Sequence, residues 1–553
     1  ESFVINVGNP SNPFDDEEFF QNAQEDAENR SYFHWQLEFP KVFFGEQEGF
    51  DAVIGNPPYI RVELIPDSQA DYYKEIYETT MESSDIYTAF YERSDNLSER
   101  VGLIFPNQFF NANYGEKLRE HISEKANIEK LVDFNNYSPF EGISTYTCIL
   151  ISGNMSEEFE VMEITSEEDI ELAEDNGLKK ELFQSYSLSN SELDSGEWTI
   201  QNPKKKSSLQ KIESTDKELG ESSVISSSLK TGRDSLLYFE IKEETEDHFK
   251  VEKDGEVILL EKGMWRKVIR PKQAERWRSD KPKKIVFFPY NIEGDEFELI
   301  DESKFESEYA KTYSLLEEFK EQLLQRKDSR KTWEEHGYPW YSLHRLGKPV
   351  NYEPDKIISQ TTVKETKFAL DEKSYLFPCG GVVGITPDKY DKYSLLAQLN
   401  SAAINFWIFM KGSAKRGGYY SVNVGTTESM PVKEDERLIE KGKSAYKAKD
   451  KFVEEKQSFL EWVESEWSVD VDDLSLKTHL REYWEYDFDE FMRVAKKNKS
   501  QIDGSVKSRE FRELMKEEWK SSMDTLRPLM QEIDELENEI DAIVFDIYDL
   551  TEE

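Results

Sequence analysis

The first part of the chain alternates short apolar runs with longer amphipathic segments. The apolar runs predict strands at residues 51–55, 100–106, 128–134 and 145–152. Between them, residues 85–97 and 115–126 have the spacing of amphipathic helices. Continuous apolar strands that alternate with helices are typical of an α/β sheet covered on both faces. We therefore expect an α/β fold for this part of the chain.

The pattern changes further along the chain. Residues 153–224 are rich in serine, glutamate and lysine, which predicts a poorly ordered or insertion-bearing connection. Residues 225–432 mix strand-like and helix-like stretches, with a helix predicted at 393–412. Residues 433–553 are acidic and helical, and end in an apolar stripe at three-and-four spacing. Such a stripe predicts helix pairing.

The composition sets limits on the class of protein. With 114 acidic and 70 basic side chains the net charge is −44, and the acids are spread along the 553 residues. A solvated acidic surface explains this best, and an acidic face for a basic partner is the alternative. The two cysteines and six histidines show no ligand spacing, and there is no membrane-length apolar run. We expect several domains, a reducing cytoplasm, no metal site and no membrane.

Three basic stretches interrupt this acidic background. They lie at 262–284, 411–421 and 230–235, and the first also carries two tryptophans. Each alone could be an ordinary solvated loop, but together they favour an anionic polymer as partner, because phosphates need local positive charge. The candidate phosphate contacts are Arg233, Arg266, Lys267, Arg270, Lys272, Arg276, Lys415 and Arg416.

A rigid corner follows the first predicted strand. Residues 56–59 read Asn-Pro-Pro-Tyr, and each proline fixes φ and lacks an N–H. The carboxyl ends of parallel strands are where open α/β sheets bind ligands. Here the Asn56 side-chain oxygen and the Pro57 carbonyl could accept both hydrogens of an exocyclic amine, while Tyr59 stacks on its ring. The corner suits methylation of a flipped base; the alternative is an edge-strand turn.

These residues resemble a known family. The corner is similar to motif IV of the amino-methyltransferases that use S-adenosylmethionine, in the form typical of N6-adenine DNA enzymes. "FHWQLEFPKVF" at 33–43 resembles the type IIG restriction-modification methylases and the PglX methyltransferases of BREX phage-exclusion systems. Stretches similar to motifs V, VI and VIII and to the end of the target-recognition domain lie at 83–94, 102–110, 138–152 and 393–432.

The resemblance implies a domain order. It implies the C-terminal half of a Rossmann-like methyltransferase domain at 1–152, a connection or insertion at 153–224, a mixed α/β target-recognition domain at 225–432 and an acidic helical region at 433–553. The family's glycine-rich cofactor motif is not found in residues 1–50, and the chain begins without methionine. We expect that motif to lie upstream, and this segment alone to bind S-adenosylmethionine poorly.

The resemblance also implies roles for individual residues. The residues implied to be catalytic are Asn56, Pro57, Pro58 and Tyr59. Phe140 is implied to stack on the second face of the base, although a phenylalanine beside a strand is often a core residue. Asp85 and Tyr87 are implied to lie near cofactor or substrate, and Asp85 could instead cap the helix that follows it.

The resemblance implies a site-specific DNA adenine-N6 methyltransferase that acts on double-stranded DNA in a restriction-modification or phage-defence system, where other subunits could join it. One alternative is a bifunctional type IIG enzyme whose nuclease lies upstream. A methyltransferase acting on protein glutamine or RNA is another. Asp355, Glu365 and Lys367 match a PD…ExK nuclease pattern, which we interpret as coincidence because the pattern is loose.

Overall fold

The structure is a computed structural model with two compact units, Glu1–Pro203 and Lys204–Glu553. It describes Asn22, Glu25 and residues 33–45, 49–135, 137–140, 145–153, 156–215, 217–253, 255–415, 418–502 and 506–550. Among these residues no helix combines the length and the apolarity needed to cross a bilayer. Within the same ranges no group of three or more acidic, histidine or cysteine side chains is arranged to hold a metal ion.

The first unit is built on a mixed six-stranded sheet in the order β1-β2-β4-β3-β5-β6. The strands are β1 (Val53–Gly55), β2 (Val101–Pro106), β3 (Asn127–Asp133), β4 (Thr147–Gly153), β5 (Glu158–Glu163) and β6 (Gln184–Ser189). β1 pairs parallel with β2, and β4 runs antiparallel to both β2 and β3. The strands β1, β2 and β3 therefore end at the same edge of the sheet.

Helices cover this sheet. In the first unit they are Trp35–Glu38, Pro40–Phe43, Asp67–Ile76, Tyr87–Asp95, Glu116–Lys125 and Glu167–Asn176. Leu118 and Ile122 lie one turn apart on one helix face and join Leu103 and Phe105 of β2 in the core. The strands predicted at the four apolar runs are confirmed, as are the two helices predicted between them. The predicted α/β class is confirmed as well.

The prediction of a poorly ordered connection from residue 153 onward is wrong for its first part. β5 and β6 extend the sheet, and the helix between them begins with a capping box of Ser166 and Asp169. Phe159 and Val161 of β5 are buried, whereas no residue of β6 is fully buried. A strand buried on one face needs few apolar residues, so its polar composition resembled that of a loop. The unit ends at Pro203 rather than at 152.

The second unit contains several small sheets. Its five-stranded sheet has the order Trp277–Arg278, Phe368–Asp371, Lys356–Gln360, Val382–Pro387 and Ser223–Ser226. The three-stranded sheets are Trp265–Val268 with Lys284–Phe287 and Tyr238–Glu240; Glu256–Glu261 with His248–Lys253 and Glu243–Glu244; and Thr362–Val363 with Tyr419–Ser421 and Ser413–Lys415. The hairpins are Tyr290–Glu293 with Glu296–Leu299, and Lys327–Asp328 with Lys331–Thr332.

Helices dominate the end of the second unit. Its helices are Pro203–Glu213 (starting at the unit boundary), Asp234–Leu237, Glu302–Glu308, Ala310–Glu317, Lys320–Leu324, Trp333–His336, Lys392–Leu399, Ala402–Lys411, Val424–Glu428, Arg437–Trp467, Lys477–Arg481, Phe488–Lys497 and Arg509–Ile547. The two longest pack along each other, as the apolar stripe of the last helix predicts, and Leu526 and Ile540 are buried. This confirms the helical C-terminal region.

One predicted helix, at 393–412, is two helices in the structure. The first ends at Leu399, and the Asn400 amide exchanges hydrogen bonds with the backbone of Phe368. Ser401 then caps the next helix by accepting from the N–H of Ile404. Asn400 is thus held by a neighbouring strand, and the Ser401 hydroxyl bonds the backbone locally, which competes with helical hydrogen bonds; together these contacts explain the break.

Candidate active site

The Asn-Pro-Pro-Tyr corner interrupts the ladder between β1 and β2. The Val53 N–H donates to the Arg100 carbonyl at 2.9 Å. Alternate residues of a parallel strand donate, so the ladder would next use residues 55 and 57, the latter reaching the Ile104 carbonyl. Pro57 has no N–H to donate. The Tyr59 hydroxyl donates to the Ile104 carbonyl instead, at 3.1 Å, which orients the ring beside the corner.

The corner presents its polar atoms to solvent. Asn56 and Pro58 are exposed, Pro57 is buried and Tyr59 is half-buried. Burial, with a smaller effect of nearby Cys148, raises the pKa of Tyr59 to about 12. The Tyr59 hydroxyl is therefore protonated at neutral pH and acts as a neutral donor. The ring is held from its hydroxyl end, and the Asn56 side chain is exposed beside it.

A second polar pair lies at the same edge of the sheet. Asn107 follows β2 directly, and its side-chain amide donates to the Asp133 carboxylate at the end of β3, at 3.0 Å. The backbone N–H of Asn135 donates to the same oxygen at 2.9 Å. Burial raises the pKa of Asp133, and the two donors oppose that shift. No sequence motif pointed to this pair, although both residues stand at the carboxyl ends of predicted strands.

Asp85 and Tyr87 have different environments. Asp85 is half-buried, and its backbone forms an isolated antiparallel β-bridge with the backbone of Arg61. Burial raises the pKa of the Asp85 carboxyl, and the charge of Arg61 opposes the shift. The helix that starts at Tyr87 has no side-chain cap, so the capping role for Asp85 has no support. Tyr87 is completely buried and stacks on Phe105 with 5.2 Å between ring centroids.

Phe140 lies in the loop after β3. Its side chain is half-buried, and its backbone N–H donates to the Ser138 hydroxyl at 3.3 Å. The following residues 141–144 lie outside the described part of the chain. A phenylalanine that is only half-buried is available to a ligand, so the stacking role stays a prediction.

The predicted aromatic stretch at 33–43 forms a ring cluster just before β1. Trp35, Phe39 and Phe43 each contact Phe50, with ring centroids 5.3–5.8 Å apart. Edge-on contacts of this kind add to the burial of apolar area. The cluster thereby positions the start of the strand that leads into the corner.

The basic stretch at 262–284 in the second unit is largely ion-paired. Lys267 pairs with Glu244, and Arg276 pairs with Glu537, each at 2.6 Å. Other cations of the stretch reach carboxylates of the C-terminal region: Arg278 to Asp450, Lys281 to Glu461 and Lys283 to Asp472. Much of its charge is therefore neutralised inside the unit.

The remaining predicted phosphate contacts are more open. Arg233, Arg266, Lys272 and Lys415 are exposed. The Arg270 guanidinium lies 5.2 Å from the centre of the Tyr238 ring. Arg416 lies outside the described residues.

The PD…ExK pattern is dispersed in the structure. Asp355 pairs with Lys392 at 2.6 Å, and Lys367 pairs with Glu275 at 3.3 Å. The antiparallel register of Lys356–Gln360 and Phe368–Asp371 puts residues 355 and 367 at opposite ends of the hairpin. At about 3.3 Å per residue they are roughly 16 Å apart, too far to share one metal ion. This supports the interpretation as coincidence.

Comparison with known proteins identifies the segment that carries the corner. Residues 6–140 match the family model described as Eco57I restriction-modification methylase. This segment belongs to that family. The resemblance to restriction-modification methylases inferred from the sequence motifs is thereby confirmed. Residues 431–544 match a separate model, described as a domain of unknown function, DUF8810.

Relatives of the methylase segment include longer proteins. The chain is 26% identical over 406 residues to the type II restriction enzyme and methyltransferase RM.Eco57I of Escherichia coli, an alignment that covers 69% of this chain and 40% of that protein. It is 38% identical over 106 residues to the type II methyltransferase M.BstVI of Geobacillus stearothermophilus, covering 18% and 19%. The chain thus spans less than half the length of these curated relatives.

Solved structures give a weaker likeness. The type IIL restriction-modification enzyme MmeI, solved in complex with DNA, aligns with a TM-score of 0.38 and 12% identity, covering 91% of this chain and 63% of that chain. The type IIG restriction endonuclease BpuSI aligns with a TM-score of 0.31 and 13% identity, covering 72% and 51%. The identification of residues 6–140 as a methylase segment therefore rests on the sequence match and on the geometry of the corner.

Proposed function

We propose that this chain is part of a site-specific DNA adenine-N6 methyltransferase of a restriction-modification or phage-defence system. The observation that carries the proposal is the corner itself. Asn56 is exposed directly after β1, and Tyr59 is held beside it by the Ile104 carbonyl. Membership of residues 6–140 in a restriction-modification methylase family supports the same activity.

The corner suits the chemistry of an aromatic amine. The lone pair of such an amine is delocalised into its ring, so the nitrogen is a poor nucleophile. The Asn56 side-chain oxygen and the Pro57 carbonyl would accept its two hydrogens and free the lone pair for attack on a methyl group. Because both prolines are rigid, the acceptors need no reorganisation at the transition state. The base must leave the duplex to reach them, and stacking on Tyr59 offsets part of that cost.

S-adenosylmethionine would supply the methyl group. The residues that the structure describes include no glycine-rich strand-to-helix turn. They therefore supply acceptors for the amine but no turn of the kind that would hold the cofactor. Asp85 has a half-buried carboxylate, and its backbone forms an antiparallel β-bridge with Arg61, two residues after Tyr59. We propose that Asp85 lies near the cofactor or the substrate, with Tyr87 packed behind it in the core.

The decisive experiment is sequencing of modified bases in the host genome. We expect Asn56→Ala to abolish N6-methyladenine at one sequence motif and leave the fold intact, because an exposed surface substitution usually changes stability by less than about 0.5 kcal/mol. Asn291→Ala, at an exposed asparagine of the second unit, is the matched control. An unchanged set of modified bases would refute the proposal. Loss of N4-methylcytosine instead would support a methyltransferase activity but show that its target base is cytosine and not adenine.

A second candidate function is a bifunctional enzyme that also cuts DNA. The relative RM.Eco57I, which aligns over 406 residues, is named as both restriction enzyme and methyltransferase. The dispersed residues Asp355 and Lys367 lend no support to a nuclease within this chain. Cleavage of DNA that carries the unmethylated motif, by the purified enzyme of which this chain is proposed to be part and in the presence of Mg²⁺, would establish this second activity.

A further inference from the structure

The second unit carries a group of three exposed cations on neighbouring segments. Lys230, Arg233 and Arg345 are exposed, and none of them has an ion-pair partner among the residues that the structure describes. We call these three residues the basic corner. In a chain of net charge −44, unpaired cations contrast with those of the 262–284 stretch, most of which meet carboxylates.

Backbone pairing forces two of these cations together. The Lys230 N–H donates to the Arg345 carbonyl at 2.9 Å, and the Arg345 N–H donates back at 3.0 Å. Residues that exchange both hydrogen bonds have Cα atoms about 5.5 Å apart, and their side chains leave the same face. Like charges directly opposite each other are destabilising. An anion between them would remove that repulsion.

The platform beneath the basic corner is rigid. Arg326 is only 4% exposed, and its guanidinium donates to the carbonyls of Thr231 at 2.8 Å and Trp340 at 2.7 Å. It also lies 4.6 Å from the centre of the Trp333 ring. Gly232, with φ +82°, then turns the chain toward Arg233. The loop that carries two of the cations is therefore held before any ligand arrives.

The neighbouring charges leave the corner positive. Asp234 accepts from the Thr231 hydroxyl, and Asp328 lies 3.6 Å from the His344 ring nitrogen. Burial lowers the pKa of His344, and the charges of Lys230, Arg345 and Arg326 lower it further, against the effect of Asp328. His344 is thereby kept neutral at pH 7, and the three exposed cations and Arg326 outnumber the two carboxylates named here.

We propose that Lys230, Arg233 and Arg345 bind the backbone phosphates of double-stranded DNA. This inference rests on the proposed function and specifies which residues of the second unit hold its substrate. Phosphate contacts position a protein on DNA without reading sequence. A phosphodiester oxygen between Lys230 and Arg345 would relieve their repulsion, and Arg233 would meet a neighbouring phosphate. The ion-paired Lys267 and Arg276 would then serve mainly to hold the unit together.

The test measures how salt weakens DNA binding. The probe is a fluorescein-labelled duplex of mixed sequence, titrated with the full chain while anisotropy is recorded at several salt concentrations. The corner variant is Lys230→Gln, Arg233→Gln, Arg345→Gln. The matched control is Lys499→Gln, Lys516→Gln, Lys520→Gln, which removes the same charge from exposed lysines elsewhere in the unit. Circular dichroism and thermal midpoints verify that both variants fold.

Each lost phosphate contact lowers the slope of log affinity against log salt by about 0.9. Three lost contacts therefore reduce the steepness of this slope by about 2.7, which corresponds to roughly 500-fold weaker binding at 0.1 M salt. We expect this change in the corner variant and little change in the control. Equal slopes for wild type, corner variant and control would overturn the inference while leaving DNA binding intact. Equal losses in both variants would reduce the effect to net charge and also overturn it. No binding by wild type would refute the proposed function itself.

Discussion

The role of the Tyr59 ring can be separated from that of its hydroxyl. Tyr59→Phe removes only the hydrogen bond to the Ile104 carbonyl, 3.1 Å long in a half-buried position. A neutral hydrogen bond of this kind contributes about 0.5–1.5 kcal/mol. We therefore expect Tyr59→Phe to lower the free energy of unfolding by about 1 kcal/mol, measured by urea denaturation, and to keep most of the activity.

Tyr59→Ala removes the ring as well. Stacking of a base on an aromatic side chain is worth about 1–3 kcal/mol, which corresponds to roughly 5–150-fold in affinity. The loss should fall on the step that captures the flipped base. We expect Tyr59→Ala to reduce methyl transfer by that factor, and Tyr59→Phe to reduce it by far less.

The assay follows base flipping directly. 2-Aminopurine at the target position becomes more fluorescent when it leaves the stack. Methyl transfer by the proposed methyltransferase is measured on the same duplex. Tyr72→Ala is the control, because Tyr72 is 55% exposed and lies outside the corner. Equal losses in the Phe and Ala variants would assign the effect to the hydroxyl. Wild-type flipping by Tyr59→Ala would refute the stacking role altogether.

Two further predictions concern the stability of the second unit. The Lys356–Asp371 ion pair is 2.6 Å long with side chains 1% and 0% exposed, so Lys356→Met should cost about 3–5 kcal/mol in urea unfolding by leaving a buried carboxylate unpaired; a loss below about 1 kcal/mol would show that water reaches the site. Glu537 accepts from Arg276 and from the Trp277 ring N–H, so Glu537→Ala should cost about 1–3 kcal/mol. An unchanged unfolding midpoint would mean that this contact adds nothing in solution.

The elements of the first sheet were predictable to different degrees. β2 and β4 lie between neighbouring strands, and their apolar runs predicted them almost to the residue. β6 lies at the edge and buries no residue fully, so nothing in its composition separated it from a loop. Burial on both faces leaves a signal in sequence, and exposure on one face weakens it.

The candidate site was predictable where its chemistry is local. Asn56, the two prolines and Tyr59 are consecutive, and proline stiffness depends on no partner. The Asn107–Asp133 pair was missed because it joins residues that meet only when β2 and β3 align across β4. No spacing along the chain predicts such a contact.

By itself, the sequence determined the strands of the central sheet, the rigid corner that follows β1 and the family to which that segment belongs. These follow from properties that neighbouring residues share, such as apolar runs and proline geometry. Only the tertiary structure decided which cations are free. Arg276 finds Glu537 across 261 positions of the chain, whereas Lys230 is placed opposite another cation, Arg345. Whether a charge is paired depends on the groups that folding brings within a few ångströms, and the local sequence does not show which groups these are.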